Sequence, residues 1–316
     1  FGGAGNLSLT GVVGGACNLT QIGAGILTLG GTSANTYTGT TTVSGGTLKL
    51  GHASGLGNAS TNVAINGGTT LDLNGYTLAR NLTIYSGVTN GGLINSNTAA
   101  AGAVTGTVTM GAASSIGGAG NFSISGAVSG GFALTKVGAG EVSLNGANTY
   151  SGTTTISGGT LKIGGSGNLT AGIYTPTISI ASGATFKYSS SADQRIDGVI
   201  SGAGNLVKDT STSSILTLYT QTNTYTGSTS IQAGTLRIAS ATSLNGTSSI
   251  TVGSDATSLA TLDLWGYSPN LGTRSLVLNG YGVGGASGAV GAIGSTSGNS
   301  TLYADNISFG SDVRIG

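Results

Sequence analysis

The sequence predicts an all-β chain folded as a parallel β-solenoid, and three observations carry that prediction. One phrase recurs three times, as Asn35 to Leu50, Asn148 to Ile163 and Asn223 to Ile238. No stretch holds a 3.6-residue apolar period over ten or more residues, so helices should be nearly absent. Short runs of alternating Leu, Ile, Val and Thr are separated throughout by Gly, Asn and Ser, and glycine supplies 61 of the 316 residues. A self-similar chain of this kind points to stacked coils rather than to a single globular core.

Each copy of the phrase reads as strand, turn, strand. In the first, Thr40 to Val43 and Thr47 to Leu50 are β-type runs, and Ser44-Gly45-Gly46 between them is turn chemistry. Period-two alternation puts Leu48 and Leu50 on one face and Lys49 on the other. The same holds for Leu161 and Ile163 about Lys162, and for Leu236 and Ile238 about Arg237. Three pairs recur at one spacing, Tyr37/Gly46, Tyr150/Gly159 and Tyr225/Gly234. The six aliphatic residues form the expected repeat core, and the tyrosines and glycines its signature.

Composition excludes several classes. Glycine without a strict three-residue period is not collagen, and 38% hydrophobic residues with only 6% charged is not a disordered chain. A net charge of +1 with scattered basic residues leaves no nucleic-acid or membrane-surface footprint. The single cysteine, Cys17, rules out a disulfide framework within the chain. The longest uncharged runs, Asn81 to Thr135 and Gly282 to Gly294, are too broken by Gly, Asn and Ser or too short to span a bilayer as helices.

A longer unit contains each phrase. A lead-in of the Gly-Ala-Gly-Asn type precedes it at residues 1 to 15, 116 to 130 and, more loosely, 196 to 206. Leu19 to Gly25 and Leu134 to Gly140 follow as a second shared segment. Spacers of unequal length separate the units, and two of them match as Leu71-Asp72-Leu73-Asn74-Gly75-Tyr76 and Leu262-Asp263-Leu264-Trp265-Gly266-Tyr267. Without a linker or a shift in composition, the chain reads as one continuous domain over residues 1–316, with units at about 1–115, 116–187 and 188–316.

Leu134-Thr135-Lys136-Val137-Gly138-Ala139-Gly140, then Val142-Ser143-Leu144, Asn148 to Thr154 and Gly159 to Gly164, resemble the autotransporter-associated β-strand repeat of bacterial surface passengers. The third unit departs where residues 209 to 213 replace the Gly-Ala-Gly. The resemblance implies a right-handed β-helix, exported to the extracellular side or outer surface of a Gram-negative-type cell.

Candidate chemistry is sparse. Cys17 and Gln21 have the spacing of a thioester pair, but repeat alignment sets Cys17 against Phe132 and Gln21 against Lys136, so Cys17 should be apolar-facing and Gln21 wet. Glu141, the only glutamate, should point outward. His52 follows a repeat-end glycine and reads as a surface loop. Asp193, Arg195 and Asp197 share one strand face, the best cluster for a polysaccharide lyase or hydrolase, yet two acids flanking an arginine read as a solvated ion-pair row. Asp72 and Asp263 occupy matched positions and read as structural, and the Asn-x-Ser/Thr sequons at Asn6, Asn18, Asn81, Asn121 and Asn168 follow from composition. No catalytic, metal or cofactor residue is assigned, and no cofactor is expected.

The function that results is a structural or adhesive surface region forming a fibre or stalk, not an enzyme. Its expected partners are copies of itself end to end or adjoining coils of a longer chain, since Ile315-Gly316 matches Ile116-Gly117. The alternative is a glycan-binding passenger with aromatic platforms at Tyr76, Trp265 and Tyr267, and with Tyr85 and Tyr281 as further exposed aromatics.

Overall fold

The computed structural model describes residues 1–57, 62–87, 89–219, 222–283 and 291–316. Residues 284–290 of the glycine-rich run therefore lie outside the described residues. The protein is a parallel β-solenoid, and among the described residues the one helical element is a single 3-10 turn, Thr170–Gly172. Two compact units, Phe1–Thr160 and Leu161–Gly316, divide the chain.

In the first unit three parallel sheets wrap one core. Leu7, Leu27, Leu48, Leu71, Leu93 and Ile116 stand in one register column, 20 to 23 residues apart. A second column runs Leu19, Thr41, Val63, Leu82, Val108 and Val128. A third runs Leu78, Val104, Ile124 and Leu144. Apart from Leu7, which is exposed, the columns are interior rows, apolar but for Thr41, and each buried side chain packs against its counterparts in the coils above and below.

The second unit repeats the plan. One sheet carries Phe186, Leu206, Thr229, Ile250 and Leu276 in register. Another carries Ile196, Leu218 and Ile238, beside Leu216, Leu236, Leu262 and Ile293. Leu48, Leu50, Leu161, Ile163, Leu236 and Ile238 are all fully buried. Lys49 and Arg237 lie on the outer face but only half exposed, with 30% and 22% of their side chains accessible, because each folds onto a carboxylate of the next coil. Lys162 is likewise half-buried.

The signature glycines are set by stacking. Gly46, Gly159 and Gly234 all adopt left-handed φ, 53°, 60° and 71°. A Cβ at these positions would run into the carbonyl oxygens of Gly25, Ala139 and Ser211 in the preceding coil. Left-handed backbone and close backbone approach coincide, and glycine alone meets both demands.

The two demands can be separated by mutation. Gly46→Ala should destabilise by about 2–4 kcal/mol, combining strain with the clash. Gly68→Ala, at φ 79° with open space around the new methyl, should cost only about 1 kcal/mol. Urea denaturation of the two variants checks the difference.

Candidate functional site

The repeated phrase builds a buried polar network inside the apolar core. Asn35, Asn148 and Asn223 are buried, and their Oδ1 atoms accept from the backbone N–H groups of Val13, Val128 and Ile200 at 2.8, 3.0 and 2.8 Å. Their Nδ2 groups donate to the carbonyls of Gly55, Gly146 and Ser243. Tyr37, Tyr150 and Tyr225 are buried two residues on, with each hydroxyl sharing a hydrogen bond with Thr41, Thr154 or Thr229 at 2.7, 2.9 and 2.6 Å. Burial pushes the Tyr225 phenol up to about 12. The invariant spacing from Asn to Tyr to Thr therefore ties a coil corner to its neighbour, with the buried polar groups satisfied as low dielectric requires.

A second buried device overturns part of the sequence reading. Gln21 and Lys136 are not wet: both are buried, as is Lys208 in the second unit. The Lys136 ammonium donates to the carbonyls of Val137, Gly138 and Gly158, each at 2.9 Å. Lys208 donates to Asp209, Ser211 and Ala233 at 3.2 to 3.3 Å. Gln21 does the same with two donors, to Gly23 and Gly25. Three N–H groups meeting three carbonyls complete the coordination of an ammonium, and burial lowers both lysines to about 8. The alternation within Leu134-Thr135-Lys136 already set Lys136 in phase with Leu134. Cys17 and Phe132, expected inside, are exposed because they lie in the turns before their strands, where alternation does not apply.

The sequon asparagines also have a structural role. Oδ1 of Asn6, Asn18, Asn81 and Asn121 accepts the backbone N–H of Ile26, Thr40, Thr107 and Glu141, one coil on. An Asn before a Leu-Ser or Leu-Thr strand start is thus a corner bond, and the sequon follows from it. Glu141 is half-buried at its strand start. His52 Nδ1 accepts from the Ser54 N–H at 2.9 Å in its loop.

The matched aspartates hold matched corners. Asp72 Oδ1 accepts from the N–H groups of Asn74 and Ser96, and Oδ2 accepts the Ser96 hydroxyl at 2.6 Å, with Lys49 Nζ 3.6 Å away. Asp263 accepts from the N–H groups of Trp265 and Thr296, from the Thr296 hydroxyl at 2.6 Å and from Arg237 Nε at 2.8 Å. Burial pushes Asp263 up, but the donors from Thr296, Arg237 and Trp265 outweigh it and leave its pKa below the ordinary value. In both corners the residue two after the aspartate has positive φ, 50° at Asn74 and 46° at Trp265. Asparagine tolerates that region; a bulky indole there carries strain of roughly 1–3 kcal/mol.

The second unit concentrates chemistry on one outer sheet face. Arg195 binds Asp197 through Nε and Nη2 at 2.6 and 2.7 Å, and its guanidinium stacks 3.4 Å from the Tyr219 ring centre. Arg237 lies 5.1 Å from the Trp265 ring centre. Beside the two arginines, on the side away from the aromatic rings, opens a cleft of about 290 Å³ lined by Asp193, Arg195, Ile215, Thr217 and Arg237, with Ala171 and Gly172 at one side. Asp193 Oδ1 accepts the Ile215 N–H at 2.8 Å. Of the expected aromatic platforms, Trp265 is half-buried against Arg237, and Tyr267 is 39% exposed two residues away on the same corner. Tyr76 holds the equivalent corner in the first unit and is half-buried. Tyr85 is exposed and Tyr281 half-buried. Among the described residues no group of His, Cys, Asp and Glu has the makings of a metal site.

Coils stacked in register and corner networks repeated three times define a repeat solenoid. Residues 19–50, 134–163 and 213–238 match the model of the passenger-associated-transport-repeat, so these three segments are repeats of the kind found in autotransporter passengers. The chain is 35% identical over 164 residues to the adhesin BmaC autotransporter of Brucella suis biovar 1 (strain 1330), a match covering 49% of this chain and 4% of that protein. The chain thus spans a small part of the curated relative it matches. No solved structure matches.

The cradles set two expectations. Lys136→Met should cost about 1–3 kcal/mol more than Lys136→Gln at pH 7, because Gln keeps two of the donors, as Gln21 does, whereas Met leaves all three carbonyls without them. Urea midpoints of the two variants check this. Folded-state values near 8 against the usual 10.5 mean that the unfolded chain binds more protons between those limits. Stability should therefore rise with pH from about 8 and fall above about 10, where Tyr188 and Tyr225, both pushed up to about 12, ionise only when unfolded. Denaturation midpoints from pH 7 to 11 check the sign, and the rise should shrink in Lys136→Gln.

Proposed function

We propose that this chain is a length of load-bearing shaft in a surface passenger, and that it has no catalytic role. The observation that carries the reading is the parallel register that runs from strand to strand within each unit, shifted only between residues 270–280 and 303–313 among the described pairs, with apolar rows inside and Thr, Ser and Asn outside. Tension along such a stack is resisted by many backbone hydrogen bonds at once. The sparse charged groups support the absence of catalysis: Arg195, Arg237 and Lys187 are each held by a carboxylate. Interior-type side chains exposed on strands, Leu7 in the first unit and Phe309 in the second, together with exposed Ile315, support stacking of further coils, from the same longer chain or from another copy.

A second reading, a passenger that binds carbohydrate, is favoured by the arginine-stacked aromatics of the second unit. It is compatible with the first, because a shaft can carry a binding face.

Light scattering and negative-stain electron microscopy of the purified chain test the stacking. Particles should lengthen with concentration at constant width, and Phe309→Lys with Ile315→Lys should abolish the lengthening. A chain that stays monomeric at all concentrations overturns self-stacking. Turnover of any polysaccharide that is lost in Asp193→Ala overturns the non-catalytic part.

A further inference from the structure

The structure assigns a glycan-binding site to the outer face of the second unit, between the Arg195–Tyr219 and Arg237–Trp265 pairs, and the ligand it fits is an extended neutral polysaccharide. This rests on the carbohydrate reading above and gives it a place.

The first argument is an internal control. The Asp263 corner and the Asp72 corner have the same carboxylate bonds, the same left-handed second residue and the same hydroxyl partner, Thr296 or Ser96. Lys49 and Asn74 satisfy that architecture in the first unit, and asparagine suits left-handed φ better than tryptophan. Nothing in the fold of the corner therefore asks for Arg237 or Trp265. The one tryptophan of the chain stands in an unfavourable backbone region, half exposed, where a better-suited residue serves elsewhere. Strain of this kind is retained where the side chain itself is used.

The second argument is preorganisation. Exposed ion pairs contribute little to stability, so Arg195 on Asp197 is a poor stabilising device. It is a good recognition device, because the carboxylate and the Tyr219 ring fix the guanidinium before any ligand arrives. Arg237 is fixed in the same way by Asp263 and Trp265. Both retain N–H donors beyond those bonds, suited to sugar hydroxyls.

Spacing and charge define the ligand. Arg195, Thr217, Arg237 and Asp263 form one register column, Tyr219 pairs with Ala239 beside it, and Asp197 and Trp265 follow soon after the paired residues of their own coils. Tyr219 and Trp265 belong to coils two steps apart, a rise of roughly 10 Å at ~4.8 Å per coil. Two aromatic stations at that separation, with donors alongside and the Thr217 hydroxyl between, match an extended chain of hexoses contacting at every second ring. Asp193, Asp197 and Asp263 offset the two arginines, so the face does not attract a polyanion.

Affinity gel electrophoresis tests the site, with hydroxyethylcellulose as the neutral probe and alginate as the anionic one. The native chain should be retarded by hydroxyethylcellulose and not by alginate. Trp265→Asn, which installs the residue of the first corner, should keep or raise the urea midpoint while weakening retardation at least tenfold, and Arg237→Lys should weaken it several-fold. Tyr76→Ala should leave retardation unchanged. Retardation intact in Trp265→Asn but lost in Tyr76→Ala overturns this site and leaves the carbohydrate reading standing. Absence of retardation of the native chain, or retardation by alginate alone, overturns both.

Discussion

Parallel hydrogen bonding between consecutive coils is the constraint on which the rest of this structure depends. It brings equivalent residues of successive coils to within about 4.8 Å of each other. Every position must then tolerate its own counterpart as a neighbour. Leucine above leucine meets that condition inside, and threonine, serine and asparagine meet it outside. Repeated charge does not, since like charges one strand apart repel. The low charge content of the chain is a consequence of its architecture, and solubility falls to hydroxyls and amides.

The corners meet the same constraint by different means. A turn between sheets frees backbone groups from the ladder, and buried ones must find partners. Here asparagine side chains reach across to the neighbouring coil, at Asn35, Asn148 and Asn223 inside and at Asn6, Asn18, Asn81 and Asn121 outside. Where carbonyls converge, a lysine or glutamine enters from the core side and supplies several donors at once. The tightest corners admit only glycine. Conformity to one register thus explains the phrase that recurs, residue by residue.

Departures from the register plan are what mark a surface for use. Most outer positions are interchangeable, and a shaft needs nothing more of them. The face bearing Arg195, Tyr219, Arg237 and Trp265 is different in kind: it gathers planar groups, orders them in advance and accepts backbone strain at one of them. A structural passenger and a recognition surface are therefore compatible in one chain, the first set by what repeats and the second by what does not.

The fold was legible in the sequence because period-two alternation and a recurring phrase are local signals that stacking amplifies. Leu48, Leu50, Leu161, Ile163, Leu236 and Ile238 could be placed inside from their neighbours alone, and the absence of a helical period sufficed to set the class. The sequence also paired Asp72 with Asp263 before either corner was seen. What it could not decide was the fate of residues at the margins of strands, where phase depends on where a turn ends. Cys17 and Phe132 went out and Gln21 and Lys136 went in because the strand begins only at Leu19 or Leu134, and because carbonyls at the turn that follows, joined at Lys136 by one from the next coil, meet around the side chain. Nor could it join Arg195 to Tyr219 or Arg237 to Trp265, since each pair is brought together by a coil of more than twenty residues. Three-dimensional register alone makes neighbours of them, and it decided which of the scattered polar residues became a surface.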